Sequence, residues 1–470
     1  FRMKLAFRLT VLVVAMLFMS CGSKPSQSEK SPTPEPSQEA DQMIDNIPTW
    51  AKNVNMYEVN IRQYTPEGTF SAFTSHIPRL KEMGVDILWL MPVFPISESK
   101  KKGSLGSYYA VSDFTQVNPE FGTIEDFRKL VKSVHHSGMK IILDFVPNHT
   151  GWDHTWISEN PQYYSQDGDG NIVDPIDPST GKSWGWTDVA DLNFDNPEMR
   201  KAMIGDMLYW IKKEGIDGYR MDVAHGVPVD FWMEVSTALT AAKPDVFMLA
   251  ESEVPELRNE NYFQTDYGWE FHHILNAIAK GERGPKDIKE WYHDNQQKYS
   301  EGWHIQFTSN HDENSWAGTT KERMGPAHDA LAALAFTLDG MPLIYGGQEE
   351  PLEKRLEFFE KDDIGFGEYK KAEWFSKILK EKHENKALWN GDFGGEVQFT
   401  EVNDQVLAYK REKDGDIIYV ILNLSDQPAT FNALDDLKGA KNVMTSEVMY
   451  MSKGNKHELK PWEYFILSKR

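Results

Sequence analysis

In GIDGYRMDVAHG, residues 215–226, a guanidinium and a carboxylate stand two positions apart, Arg220 and Asp222. Residues i and i+2 of a β-strand share a face, so if this apolar run is extended, both charges point at whatever lies at its end. An isolated pair of this kind reads most simply as a structural ion pair. Other apolar runs, however, end in groups of the same sort. Asp144, Asn148 and His149 follow one, Glu251 in LAESE follows another, Asn310, His311 and Asp312 follow a third, and His225 comes three residues after Asp222. Taken singly, each reads as a cap or a surface charge. Gathered at one mouth, three carboxylates cost stability, and such clusters persist mainly where chemistry uses them. Two carboxyls in different environments are what glycosidic-bond hydrolysis requires: one ionised, to attack or stabilise the anomeric carbon, and one protonated, to assist the leaving oxygen. Arg220 would keep Asp222 ionised. Glu251, preceded by Leu249 and Ala250, would keep its proton through partial desolvation and anionic neighbours. A sugar also needs flat faces, for which Tyr108, Tyr109, Trp152, Trp156, Trp184 and Trp186 are candidates, each equally readable as core.

These groups can converge only if the elements carrying them do. Eight short apolar runs alternate with amphipathic stretches: VNMYEVNI (54–61), VDILWLMPVF (85–94), KIILDFVP (140–147), IDGYRMDV (216–223), VFMLAE (246–251), YFQTDY (262–267), HIQFTSN (304–310) and MPLIYGG (341–347). That alternation predicts an α/β fold, a (β/α)8 TIM barrel, and in such a barrel functional groups sit at the C-terminal strand ends. No glycine-rich phosphate fingerprint follows the first run, which argues against dinucleotide binding. Residues 149–196, rich in Trp, Tyr, Asp, Gly and Pro, are too long for a bare loop and predict a short inserted domain after strand 3. The barrel is then expected over 48–148 and 197–385. From 386 to 470 the pattern changes to strand, turn and strand, as in VLAYKREKDGDIIYVILNLS (406–425), which predicts a C-terminal antiparallel β-sandwich.

The formal net charge of −22 argues against a nucleic-acid partner, since a polyanion needs a basic patch, and is compatible with a neutral substrate. Residues 1–21 read as an export signal: basic residues, an apolar core from Val11 to Met19, then Ser20 and Cys21, with Met3 as the expected initiator. Cys21 is the single cysteine of the chain, so no intramolecular disulfide can form. Its place resembles a bacterial lipoprotein box, and Cys21 is the expected lipidation site. Residues 22–47, rich in Pro, Ser and charge, read as a flexible tether. The expected location is therefore a bacterial membrane, on its periplasmic or cell-surface face, with the lipid anchor as the only membrane contact. Oligomeric state is left open.

The segments DFVPNH (144–149), GYRMDVAH (218–225), LAESE (249–253) and FTSNHD (307–312) resemble the four ordered signature segments of the α-amylase family, glycoside hydrolase family 13. ADLNF (190–194) resembles a fifth, and the likeness runs from about residue 50 to the end of the chain. The resemblance implies a retaining α-glucan hydrolase acting on α-1,4 bonds, with Asp222 as nucleophile, Glu251 as acid and base, and Asp312 gripping sugar hydroxyls. It further implies that His149, His311 and Arg220 line the same subsite, that Tyr109 stacks beneath the sugar, and that Asn148 and Asp191 serve a structural calcium. No organic cofactor is implied. Alternatives within the family are an oligosaccharide- or cyclodextrin-preferring enzyme and a glucanotransferase. A non-catalytic glucan-binding protein on the same fold is the alternative outside catalysis; such relatives typically lose an acid, and all three are present here. Where many starch-cutting relatives carry Lys then His, this chain has His225 and Gly226, so His225 is the expected acceptor-side contact and bond preference stays open. DGDGNIVD (167–174) spaces oxygens like a calcium loop, but Asp-Gly turns need no metal, and the turn is the favoured reading.

Overall fold

The computed structural model describes residues 43–44, 46–177, 180–433 and 437–470. The export signal, Cys21 and nearly all of the tether lie outside the described residues. Eight parallel strands close into a barrel in sequence order: β1 (Met56–Val59), β2 (Ile87–Leu90), β3 (Lys140–Phe145), β4 (Gly218–Met221), β5 (Phe247–Ala250), β6 (Thr265–Tyr267), β7 (Trp303–Gln306) and β8 (Met341–Tyr345). Seven lie within the apolar runs, and β7 begins one residue before its own. Helices that return the chain include α1 (Ile77–Met83), α2 (Ile124–His136), α3 (Pro197–Tyr209), α4 (Val229–Ala242), α5 (Trp269–Ala279), α6 (Pro285–Lys298), α7 (His328–Thr337) and α8 (Ala372–Glu384). α2 shows how locally these are set: the Thr123 side chain accepts from Asp126 N–H and Asp126 accepts from Thr123 N–H, a reciprocal capping box.

The strands alternate with period two, and this alternation builds the site. In β2, Ile87 and Trp89 join the inner cluster while Leu88 and Leu90 join the shell between strands and helices. By the same rule Met56 of β1, Ile142 of β3 and Phe247 and Leu249 of β5 face inward, and Tyr57, Val59, Ile141, Leu143, Tyr219 and Met221 face outward. Glu58, Asp144 and Arg220 therefore fall on the inner face, and all three are buried. At Gly218 a Cβ would come within 1.8 Å of the Phe247 carbonyl oxygen, so β4 and β5 approach as they do only because this residue has no side chain.

After β3 the chain makes the expected insertion, in which His149–Gly151 pairs antiparallel with Val189–Asp191. The segment from Asp167 is the turn, closed on itself: Asp167 Oδ1 accepts from the backbone N–H of Asp169 and of Asn171, each at 2.9 Å. Beyond the barrel lies a five-stranded antiparallel sheet, with a two-stranded ribbon of Ala429–Asn432 and Lys456–Leu459. Its central hairpin joins Val406–Lys413 to Asp416–Asn423 through Asp414 and Gly415, at φ 51° and 93°. Asp-Gly with both φ positive is the two-residue turn that matches strand twist. No helix among the described residues is long and apolar enough to cross a membrane.

Candidate active site

Arg220 is the hub. Its Nη1 lies 2.7 Å from Asp222 Oδ1 and 2.9 Å from Asp144 Oδ1, and its Nη2 lies 3.0 Å from Glu251 Oε1. Nε donates to Tyr267 Oη at 3.2 Å. The other oxygen of Asp144 accepts from Trp89 Nε1 and from Tyr109 Oη, each at 3.1 Å. Three carboxylates from β3, β4 and β5 thus meet one guanidinium. Just past β4, Val223 adopts φ 45° and ψ 43°, a left-handed conformation seldom tolerated by a β-branched residue. That twist lets its N–H donate to Glu251 Oε2 at 2.8 Å. Backbone strain of this kind, at about 1–3 kcal/mol, is held where the surroundings over-determine it, typically at functional sites.

Across the mouth, after β7, His311 Nδ1 lies 2.5 Å from Glu58 Oε1, while its Nε2 lies 2.9 Å from Tyr109 Oη and 3.2 Å from Asp312 Oδ2. The Tyr109 ring stacks beside that of His311, with centroids 5.6 Å apart and planes 22° apart. A cavity of about 460 Å³ joins the two halves, lined by Asp222, Glu251, Asp312, His311, His149 and Tyr109, and by Lys102, Trp186, Asp188, Trp316, Phe358 and Phe359.

The electrostatics differ between the halves. Burial, joined by the Glu251 and Asp144 carboxylates, pushes Asp222 well above the usual carboxylate range against the pull of Arg220. Burial likewise raises Asp144 to about 6, with Arg220 opposing. On the other side, burial disfavours charge on His311, but Asp312 and Glu58 outweigh it and raise the imidazolium well above the ordinary histidine value. Burial would raise Asp312, yet the His311 cation holds it below its ordinary value. His149, driven down to about 4 by burial, is neutral.

One expectation about environment needs correcting. Arg220 does not serve Asp222 alone: shared among three carboxylates, one cation cannot offset burial for each of them. Around Glu251, Leu249 faces the barrel interior and Ala250 its outer shell, while the carboxylate accepts from the Val223 N–H and pairs with the Arg220 guanidinium. His225 is exposed on the rim, its Nδ1 3.3 Å from the Glu251 carbonyl oxygen, and is not part of the cavity lining. Among the aromatic candidates, Tyr109 and Trp186 reach the cavity. Tyr108 and Trp156 are core, and Trp152 is covered by Lys100, whose Nζ lies 3.1 Å from the ring centroid. Trp184 stacks on Trp186 at 5.6 Å, one ring deeper and one exposed.

Asn148 and Asp191 both lie at the base of the inserted hairpin. Asn148 Nδ2 is 3.2 Å from His149 Nδ1, and the Asp191 backbone pairs with that of His149. Burial raises the Asp191 carboxyl to about 6, with a Ser165 hydrogen bond opposing and Asp174 adding to the rise. Among the described residues, Asp191 makes no ion pair, and no three His, Cys, Asp or Glu side chains gather as a metal cage. The donors that are present, an amide oxygen and a half-buried carboxylate, suit a hard cation.

Glu58 was not singled out from the sequence, although it could have been. In MYEV it stands between outward Tyr57 and Val59, so period two alone places a carboxylate inside the barrel. Lys102, Asp188, Trp316 and the Phe358–Phe359 pair have no such local signal, since only loop packing brings them to the cavity.

Residues 36–391 match the family described as "Alpha amylase, catalytic domain", and residues 397–466 match "Maltogenic Amylase, C-terminal domain". The chain is 26% identical over 464 residues to Alpha-amylase 3 of Dictyoglomus thermophilum, covering 83% of this chain and 88% of that one. It is 26% identical over 436 residues to a maltogenic alpha-amylase of Bacillus acidopullulyticus, covering 85% and 70%. Among solved structures, a noncanonic maltogenic alpha-amylase from Thermotoga neapolitana superposes with a TM-score of 0.79 at 25% identity, covering 88% of this chain and 98% of the other. With three carboxyls gathered at the mouth of a closed parallel barrel and the catalytic-domain family matched across most of its length, the chain belongs to the α-amylase family of glycoside hydrolases.

Proposed function

We propose that the protein hydrolyses α-1,4-glucosidic bonds with retention of configuration, Asp222 attacking the anomeric carbon and Glu251 serving as acid and then base. The observation that carries this reading is the sharing of Arg220 among Asp222, Glu251 and Asp144. The carboxylates around this one cation titrate as a coupled unit, and the reaction proceeds from the state in which Asp222 is ionised beside Arg220 and the proton is on Glu251. Of the three side chains Glu251 is the most exposed, at 15%, and so is the one a leaving oxygen can reach. As the Asp222 oxygen bonds to the anomeric carbon, the glycosidic bond breaks and its oxygen takes the Glu251 proton. Water then loses a proton to Glu251 and displaces Asp222 from the sugar. Asp312, kept ionised by His311, accepts hydrogen bonds from sugar hydroxyls, and Tyr109 offers its face to the ring.

Time-resolved NMR on maltoheptaose should show the α-anomer released first. Glu251→Gln should lower turnover about 10²–10⁴-fold, with azide restoring the rate on an aryl glycoside, and Asp222→Asn should lower it at least as far. Near-normal turnover in either variant, or a β-anomer, would remove the assignment. The match to a maltogenic C-terminal domain favours short maltooligosaccharides as the substrate class.

Two further properties belong to the same reading. Asn148 and Asp191 would hold a calcium that fastens the inserted hairpin. The protein would be exported and lipid-anchored through Cys21, supported by the basic and apolar residues before it. Cys21→Ser should abolish labelled-palmitate incorporation and move the protein from the membrane to the soluble fraction; unchanged labelling would reject the anchor.

A further inference from the structure

The barrel mouth is walled unevenly. After β4, β5 and β6 the chain returns to a helix almost at once: Met221 is followed by Val229 of α4, Ala250 by a helix from Pro255, and Tyr267 by Trp269 of α5. After β2, β3 and β8 it takes long excursions, residues 91–123, 146–196 and 346–371. Residues 98–107, in the first of these, tie the other two together. Toward the insertion, Lys102 Nζ lies 2.8 Å from Asp188 Oδ1 and 3.4 Å from the Gly185 carbonyl oxygen, and Asp153 Oδ2 accepts from Glu98 N–H at 2.8 Å. Toward the loop after β8, Leu105 N–H donates to Phe359 O at 3.0 Å and Ser104 N–H to Glu360 Oε1 at 2.9 Å. Gly103, at φ 65°, sits so close that a Cβ would come within 2.4 Å of Phe359 Cβ. This strap borders the site itself, because Lys102, Asp188 and Phe359 line the same cavity as Asp222 and Glu251. The Asp188 side chain is only 8% exposed, so removing Lys102 would leave a buried carboxylate without its cation.

We propose that the Lys102–Asp188 ion pair latches residues 98–107 across one end of the cleft. A glucan then enters over the low side formed after β4, β5 and β6, presenting a chain end, and short maltooligosaccharides are preferred over the interior of a long chain. The inference rests on the hydrolytic reading above and assigns Lys102 a positioning role that sets specificity.

The test compares kcat/KM on maltotetraose with that on dye-cross-linked starch, which releases dye only through cuts within a chain. The wild type should favour maltotetraose. Lys102→Ala and Asp188→Asn should raise the ratio of starch to maltotetraose cleavage about fivefold or more. The exchanged double variant Lys102→Glu, Asp188→Lys should return it toward wild type, which a purely structural defect would not do. Glu360→Ala, outside the cavity lining, frees the other end of the strap and should move the ratio the same way, so the test survives if a Lys102 variant fails to fold. Hydrolysis of both substrates with an unmoved ratio overturns the latch alone. Hydrolysis of neither by the wild type overturns the latch together with the proposed function.

Discussion

The charges of single residues in this site are set by neighbours rather than by residue type. His311 remains an imidazolium because two carboxylates, Asp312 and Glu58, face it against the cost of burial. A histidine raised in this way contributes stability that is fully present below its unfolded value and is lost as pH rises through the folded value. Glu58→Gln removes one of those charges without changing shape. It should therefore move the alkaline limb of the kcat/KM profile down by about one pH unit or more, and an unmoved limb would show that His311 does not need Glu58 to stay charged. Arg220, Asp222, Glu251, His311 and Asp312 were legible in the sequence because their types recur at the ends of apolar runs. Their environments were not: the sharing of Arg220 and the Val223 N–H donated to Glu251 depend on strand register and on one left-handed residue, Val223.

Among the elements, the inserted hairpin has little support of its own, with three residues in each strand. Asp191, at its base, carries a carboxyl raised to about 6, mainly by burial. A carboxyl raised on folding binds its proton more tightly in the native state than in the unfolded chain. Without a cation, stability should therefore fall as pH climbs from about 4 to about 6. Calcium bound by Asn148 and Asp191 would cancel that loss, because the charged form gains a partner. Titration with chelator at pH 7 should lower the thermal midpoint, and added calcium should restore it, with a smaller effect at pH 4.5. A midpoint unchanged by chelator at both pH values would remove the metal proposal.

At the scale of the whole molecule, the C-terminal sheet is fastened to the barrel by buried polar contacts. Arg411 donates to the carbonyls of Gly395, Thr337 and Trp389 at 2.7, 3.1 and 3.1 Å. Thr337 and Tyr409 hydroxyls meet at 2.6 Å, and Ser468 Oγ donates to Glu381 Oε1 at 2.5 Å. Such ties should make barrel and sheet unfold as one, and calorimetry should show a single transition; two resolved transitions would contradict the coupling. Arg411→Ala leaves three carbonyls without their donor, at about 1 kcal/mol or more each, and should lower that one midpoint without splitting it.

The sequence by itself determined the closed barrel, the insertion after β3, the C-terminal sheet and the residues at the strand ends. Each of these follows from local pattern: period-two alternation, helix-length spacers and an Asp-Gly turn leave the chain few other ways to bury its apolar faces. Tertiary structure alone decided how three carboxylates divide one guanidinium, that His225 stays on the rim, and that Lys102 meets Asp188 at the cleft wall. Those outcomes depend on contacts between segments far apart in the chain, whose distances and burial no local pattern encodes.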